Sequence, residues 1–239
     1  MLVLSIDACD SRGSIAVLRD NSLLALAEHE SGVDYSSWLL PAVEEALARA
    51  GIEMRELDGY VVASGPGSFT GVRVGLTTVK GWAEVYGRPV AAVSRLEAIA
   101  EQAVSGSSSV AAFVDAQRGQ VFGGVYRRQG ASLLRLGEEM VIPPAAFVDE
   151  AVRLSDGEKI TWVSPDPAHL FGEAAWKERE EAGEQIQQVS ATLAAVIGRI
   201  GVRRLREGKF TDALGLDANY VRRSDAEIFW KGGKVSHGG

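Results

Sequence analysis

The chain has 239 residues, 46% of them hydrophobic, and a formal net charge of −7 at pH 7. This acidic balance excludes unaided binding to nucleic acid, which needs a concentrated basic surface, so any such contact should depend on a partner. The single cysteine, Cys9, excludes an internal disulfide framework and is typical of a reducing compartment. Because Asp7 interrupts the first apolar run, we expect neither a signal peptide nor a transmembrane span, and a cytoplasmic location.

The first half of the chain is predicted to begin with three strands. Apolar runs at residues 2–6 and 14–18 flank a turn and predict a hairpin, and a third strand ends near Glu30. Helical periodicity follows at residues 35–50, and an apolar strand at residues 59–63. The order is therefore three strands, a helix and a strand.

A glycine-rich segment at residues 64–73 joins that strand to a helix predicted over residues 72–86. Unpaired N–H groups and the helix dipole favour an anion or a closely approaching partner at such a turn. The segment lacks the Lys-Ser/Thr pair of a P-loop, the third glycine of the dinucleotide fingerprint and the flanking glycines of a nucleophile elbow. We interpret it mainly as the rigid start of the helix, with any phosphate contact secondary. Its candidate residues are Gly65, Pro66, Gly67, Ser68 and Gly71.

The second half of the chain, which follows a predicted helix at residues 94–104, repeats this order. Apolar runs at residues 110–114 and 120–126 predict a hairpin, and a third strand ends near Val141 before a helix at 144–154 and a strand at 160–163. The doubled β-β-β-α-β-α order predicts two like-folded halves whose first hairpins face each other across a cleft. Chance similarity of two α/β units is the alternative.

Small polar residues at 105–109 predict a boundary between the halves. We place an N-terminal subdomain at residues 1–106, a C-terminal subdomain at 107–230 and a flexible tail at 231–239. The Glu- and Gln-rich residues 177–188 predict a solvated loop or helix end.

Asp7 and Asp115 each end the first strand of their half and are the candidates for nucleotide or metal proximity. A carboxylate at such a turn can hold a hydrated magnesium ion or cap N–H groups of the turn, and the sequence leaves both open. The three histidines include no His-x-x-x-His spacing, so we predict no histidine metal site and assign no catalytic residue.

Four separated motifs resemble one bacterial family. They are IDA at residues 6–8, GPGSFTGVRVGL at residues 65–76, VDAQRGQVF at residues 114–122 and YVRRSDAE at residues 220–227. Together they resemble the TsaB (YeaZ) family from about residue 2 to residue 227. Where many members carry His-Ser-Glu before Leu-Leu-Pro, this chain has Asp34-Tyr35-Ser36-Ser37-Trp38. The family's histidine is therefore absent here, and any role assigned to it does not carry over to this chain.

The resemblance implies the actin-like ATPase (ASKHA) fold, an α/β architecture of two ribonuclease H-like subdomains, each with a mixed sheet flanked by helices. It also implies a non-catalytic scaffold subunit that pairs with TsaD and, with TsaE, supports threonylcarbamoyl transfer to the adenosine beside the anticodon of tRNAs reading codons that start with adenine. tRNA would be contacted only through the complex, and no membrane partner is expected. No cofactor is firmly implied, and any ATP, ADP or magnesium would be bound in the complex only. The chain alone would form a homodimer.

The resemblance further implies that the helices at residues 35–50 and 72–86 pair with TsaD or with a second copy. Packing against the chain's own sheet is the alternative, and Gly75 and Gly81 should answer a packing need. We expect a charged residue in place of Trp38 or Gly75 to abolish pairing while leaving the chain folded. The predicted interface residues are Tyr35, Trp38, Leu39, Ala42, Val43, Val74, Gly75, Thr78 and Trp82.

Two other functions stay open. One is an independent ATPase or small-molecule kinase of the actin-like superfamily, with Asp7 and Asp115 around magnesium. The other is a peptidase that uses Ser68, for which the sequence offers no recognisable base partner.

Overall fold

The computed structural model describes residues 1–29, 32–104, 106–170, 174–211 and 215–216. Its first sheet contains β1 (Leu2–Asp7), β2 (Ser14–Arg19), β3 (Ser22–Glu28), β4 (Gly59–Ala63) and β5 (Val90–Val93). Its second sheet contains β6 (Ser109–Asp115), β7 (Val121–Gln129), β8 (Ser132–Ile142), β9 (Ile160–Ser164) and β10 (Ile186–Gln188). The helices are α1 (Tyr35–Ala50), α2 (Phe69–Tyr86), α3 (Arg95–Glu101), α4 (Pro144–Leu154), α5 (Ala174–Glu181) and α6 (Ala194–Arg206). In this described part, no helix is both long and apolar enough to cross a bilayer.

Both sheets have the same topology. The strand order is β3-β2-β1-β4-β5 in the first and, from the other end, β8-β7-β6-β9-β10 in the second. In each sheet the first three strands pair antiparallel, and the remaining pairs are parallel. The predicted repeat is confirmed. In the first half, the strand β5 is an addition to the predicted elements, whereas α3 corresponds to the helix predicted at residues 94–104. In the second half, the strand β10 and the helix α6 are both additions.

Helices cover both faces of the first sheet. Successive side chains of a strand point to opposite faces. The backbone of α2 at Gly75 lies against Ile6 and Val62, whereas α6 at Gly198 and Gly201 lies against the neighbouring positions Ser5 and Val61. The first sheet is therefore enclosed between α2 and α6.

The two halves exchange helices. α3, from the first half of the chain, packs on β6, β7, β8 and β9, whereas α6, from the second half, packs on β1, β2, β4 and β5. The boundary at residue 106 stays a prediction. Because α3 and α6 each pack on the sheet of the other half, the two halves are not independent packing units. The predicted tail at 231–239 lies outside the described residues.

The approach of α6 to the first sheet requires glycine. A Cβ atom at Gly198 would lie 2.4 Å from Leu18 Cδ1, and one at Gly201 would lie 2.3 Å from Val61 Cγ1. The buried Ser14 hydroxyl of β2 accepts the Ala194 N–H at 3.0 Å, which satisfies a donor in the first turn of α6. The hairpin of the first half thus fixes the last described helix.

Residues 177–188, predicted as a solvated loop or helix end, contain the end of α5 and strand β10. The buried Glu184 explains the difference. Its carboxylate accepts the Ile160 N–H at 3.0 Å and the Trp162 indole N–H at 2.6 Å, and forms an ion pair with Arg179. This acidic residue is therefore buried beside β9, because its charge is compensated inside the protein.

Candidate functional site

The glycine-rich loop packs directly on the first hairpin turn. A Cβ atom at Gly67 would lie 2.1 Å from the carbonyl oxygen of Cys9, and one at Gly71 would lie 2.0 Å from that of Ala8. The Ser68 N–H donates to the Cys9 carbonyl at 2.6 Å. Glycine is required here because two backbones meet inside the chain, which supports the interpretation of the loop as a rigid start of the helix.

Helix α2 begins at Phe69, three residues before the predicted start, because Ser68 is its N-cap. The Ser68 hydroxyl accepts the Gly71 N–H at 3.3 Å, and the Ser68 carbonyl accepts the Val72 N–H at 2.9 Å. Gly65 and Pro66 are buried, and the Gly65 carbonyl accepts the Arg95 N–H at 2.7 Å. The loop therefore connects the first hairpin, α2 and α3.

Asp7 is fully buried at the end of β1. Its Oδ1 accepts the Cys9 N–H at 2.9 Å, so one oxygen caps the turn. Within the described part of the chain, its Oδ2 has no hydrogen-bond partner and lies 3.9 Å from the Nε of Arg95. Burial raises the pKa of Asp7, and the Arg95 charge and the Cys9 N–H offset that rise only in part.

The first hairpin turn and the second half are joined by charges that sequence reasoning missed. The Arg95 guanidinium donates to Asp10, which also pairs with Arg12 at 3.3 Å. Arg12 Nη1 then donates to Asp166 Oδ1 at 2.9 Å, in the loop after β9. Burial alone would raise the pKa of Asp10, but Arg95 and the Arg12 contacts outweigh it and hold that pKa below its usual value. Opposite charges thus bridge the cleft between the halves.

Asp115 is occupied by its own hairpin. Its Oδ1 accepts the Gln117 N–H at 2.8 Å, and its Oδ2 accepts the Gln117 side-chain amide at 2.6 Å. Asp7 and Asp115 hold equivalent positions in the repeat, but each caps its own turn. The turn-capping alternative therefore describes Asp115 fully and Asp7 in part.

A magnesium ion does not fit between Asp7 and Asp10. A guanidinium already lies against both Asp7 and Asp10, and a divalent cation at the same place would meet a like charge at contact distance. Over the described ranges, no group of three or more His, Cys, Asp or Glu side chains is arranged to hold a metal. Nucleotide binding in a complex stays a prediction.

An aromatic group supports the first hairpin from α1. The rings of His29 and Tyr35 stack at 4.2 Å between centroids, and Trp38 meets the His29 ring edge-on at 4.9 Å. The Tyr35 hydroxyl donates to the Asp10 carbonyl, close to the backbone of Gly13. Tyr35, which stands with Trp38 where the family often has His-Ser-Glu, therefore contacts the turn that carries Asp10, and Trp38 packs on the rings of His29 and Tyr35.

The predicted interface residues divide by burial. Tyr35, Trp38, Val74, Thr78 and Trp82 keep part of their side chains accessible. The others are buried in the chain's own core, so their side chains offer no surface to a partner in this structure. These buried residues are Leu39, Ala42, Val43 and Gly75.

Gly75 and Gly81 differ in their surroundings. The nearest atoms to a Cβ at Gly75 would be those of Ala8, Val62 and Ile6, at 3.6 to 3.9 Å. Because Gly75 faces this core, a charged side chain there should disturb folding as well as any pairing, so Gly75 is a poor position for testing the partner surface. A Cβ at Gly81 would meet nothing within 4 Å, so this glycine has no packing reason inside the described structure.

A cavity of about 500 Å³ lies between the halves, beside α3 and α6. Its wall includes Glu97, which pairs with Arg204 at 2.5 Å, and Glu139, which accepts the Tyr126 hydroxyl at 2.6 Å. Burial raises the pKa of Glu97 in spite of Arg204. Both carboxylates of this wall are therefore held by groups of the chain itself.

Known proteins resemble this chain over most of its length. The family model for TsaD, tRNA N6-adenosine threonylcarbamoyltransferase, matches residues 29–199. A tRNA threonylcarbamoyladenosine biosynthesis protein TsaB from Bacillus subtilis is 29% identical over 239 residues, covering 96% of this chain and 98% of that protein. The protein of the same name from Escherichia coli is 27% identical, and the match covers 97% of each.

Solved structures agree with the observed architecture. YeaZ from Pseudomonas aeruginosa superposes with a TM-score of 0.71 at 25% identity, over 91% of this chain and 100% of that one. A ROK hexokinase from Thermus thermophilus has a TM-score of 0.55 at 14% identity, over 86% and 100%, which is a likeness of fold alone. The chain therefore belongs to the family that the TsaD model describes and, within the actin-like ATPase superfamily, to its TsaB (YeaZ) group.

Proposed function

We propose that this chain is a non-catalytic subunit of a cytoplasmic tRNA-modifying assembly. In this proposal it pairs with TsaD and, with TsaE, supports threonylcarbamoyl transfer to the adenosine beside the anticodon of tRNAs reading codons that start with adenine. Its relatives are named tRNA threonylcarbamoyladenosine biosynthesis proteins, which supports a role of this chain in making that modification. tRNA is contacted through the assembly, since the chain is acidic.

The observation that carries the proposal is an outward stripe on α2. Val74, Thr78, Gly81 and Val85 follow one another at the i, i+4, i+7, i+11 spacing of a single helix face. Val85 is 76% exposed, and Gly81 opens onto free space. A glycine inside a helix costs about 1 kcal/mol relative to alanine, and no contact with the residues that the structure describes offsets that cost at Gly81. A partner helix that approaches closely would account for it.

A related fold is the natural partner for this face. Because the TsaD model matches this chain, TsaD is expected to carry the counterparts of α1 and α2. Two like helix pairs can meet about a two-fold axis, the arrangement that also allows a pair of identical chains. We therefore propose the same face for pairing with TsaD and, when TsaD is absent, for a homodimer.

Co-purification with TsaD tests this assignment. Val85→Glu places a charge in the stripe, and we expect loss of the complex with an unchanged melting temperature of the free chain. Val104→Glu is the matched control, because Val104 is 72% exposed and lies outside α1 and α2. Equal recovery of TsaD with both variants would refute the assignment of the face.

The alternatives have weaker support. For an independent ATPase or kinase, the Arg95 guanidinium already lies against Asp7 and Asp10, and turnover of ATP by the isolated chain would favour that function. For a peptidase, the Ser68 hydroxyl is engaged as the N-cap of α2. His29, a residue type that could serve as the base of a peptidase, is engaged as well, because its two ring nitrogens lie within 3.0 Å of the carbonyl oxygens of Ser11 and Val33.

A further inference from the structure

We propose that Arg95 is a tethered cation, which takes the position between Asp7 and Asp10 that a divalent metal ion would need and so keeps the two halves joined without a metal. The assignment concerns this chain's own residues and holds whether or not the chain pairs with TsaD.

The first step is the place of the guanidinium. The Arg95 side chain is 3% exposed and that of Asp7 is 0% exposed, so neither charge is compensated by bulk water. One guanidinium meets both carboxylates, since Nη2 donates to Asp10 and Nε lies 3.9 Å from Asp7 Oδ2. The guanidinium thus provides, between two carboxylates, the positive charge that a bound metal ion would otherwise provide.

The second step is how Arg95 is held. Its N–H donates to the Gly65 carbonyl at 2.7 Å, which fixes the start of α3 on the glycine-rich loop. α3 then packs on the second sheet. A single residue therefore joins the first hairpin, the glycine-rich loop and a helix that belongs to the second half by its contacts.

The third step is the path of charge across the cleft. The signs alternate from Asp7 to Arg95, Asp10, Arg12 and Asp166, and the last of these lies beyond β9. Without Arg95, Asp7 and Asp10 would face each other with no cation between them. Two carboxylates left in this way would gain affinity for a hard divalent cation.

Manganese, a paramagnetic substitute for magnesium, tests the inference in the full chain. In metal-free buffer, Arg95→Met should lower the melting temperature by about 10 °C, because it leaves the buried Asp7 without a cation and leaves Asp10 with Arg12 alone. Millimolar manganese or magnesium should restore part of that loss and bind near one ion per chain by electron paramagnetic resonance titration. The unsubstituted chain should show neither effect.

Two further variants keep the test decisive if Arg95→Met does not fold. Asp7→Asn with Arg95→Met removes charges of both signs, so it should recover stability and bind no manganese. Arg12→Met removes a cation that is 42% exposed, and it should cost far less than Arg95→Met and create no metal response. Stoichiometric manganese binding by the unsubstituted chain would overturn the proposal. So would a folded Arg95→Met variant with the original melting temperature.

Discussion

Three glycines of α2 provide a graded test of the packing described above. At Gly81 a methyl group enters open space, so alanine should stabilise the free chain by about 1 kcal/mol through helix propensity. At Gly75 the nearest atom, Ala8 Cβ, would be 3.6 Å away, which is ordinary contact, so alanine should gain the same helix propensity and stabilise by a similar amount. At Gly71 the methyl would lie 2.0 Å from the Ala8 carbonyl oxygen, an overlap that the hairpin backbone can relieve only by moving.

For Gly71→Ala we expect a loss of about 1–3 kcal/mol, the usual cost of overpacking. Because one kcal/mol shifts the melting temperature of a chain of this size by about 2–4 °C, thermal unfolding followed by circular dichroism separates Gly71→Ala from the other two variants. The melting temperatures of Gly81→Ala and Gly75→Ala should lie above that of the original chain, and the melting temperature of Gly71→Ala should lie below it. A Gly71→Ala variant as stable as the original chain, or a Gly81→Ala variant below it, would refute the packing of α2.

Two more predictions concern single side chains. Ser68→Ala removes the N-cap of α2 and should lower the free energy of unfolding in urea by about 1 kcal/mol, while leaving tRNA modification intact. Loss of modification in a folded variant would instead support a catalytic role for this serine. Burial raises the pKa of Glu184, but hydrogen bonds from Arg179, Trp162 and Ile160 outweigh this and lower it below 4.5. The ionised Glu184 therefore stabilises the fold above pH 4.5, and this stabilisation is lost as the pH falls through the folded-state pKa. Glu184→Gln should cost about 2 kcal/mol of unfolding free energy at pH 7 and progressively less in acid. A stability difference that does not change with pH would contradict this.

The repeat was predictable because its signals are local. Each signal can be recognised within a short stretch of sequence, and together the signals led to the correct fold. They are the apolar runs, the aspartate at each first hairpin and the glycines before α2. The glycine-rich loop also shows the limit of such reasoning. Its composition is equally compatible with an anion cradle, and only the approach of Cys9 and Ala8 shows which backbone the glycines accommodate.

The charges at the cleft could not be found in this way. Arg95 is 85 residues from Asp10, and Arg12 is 154 residues from Asp166, so no local pattern joins them. One signal was present in the sequence: Arg95 is the first residue of α3, where the helix dipole disfavours a positive charge. A cation at that position implies a compensating acid, although the fold is needed to identify Asp7 and Asp10.

The most direct test of the proposed function is reconstitution of threonylcarbamoyladenosine on tRNA with TsaD, TsaE, a source of threonylcarbamoyl-adenylate and this chain. The account predicts modification with the full set, loss of modification when this chain is omitted, and the same loss when Val85→Glu replaces the original chain. Equal modification with and without the chain would contradict it.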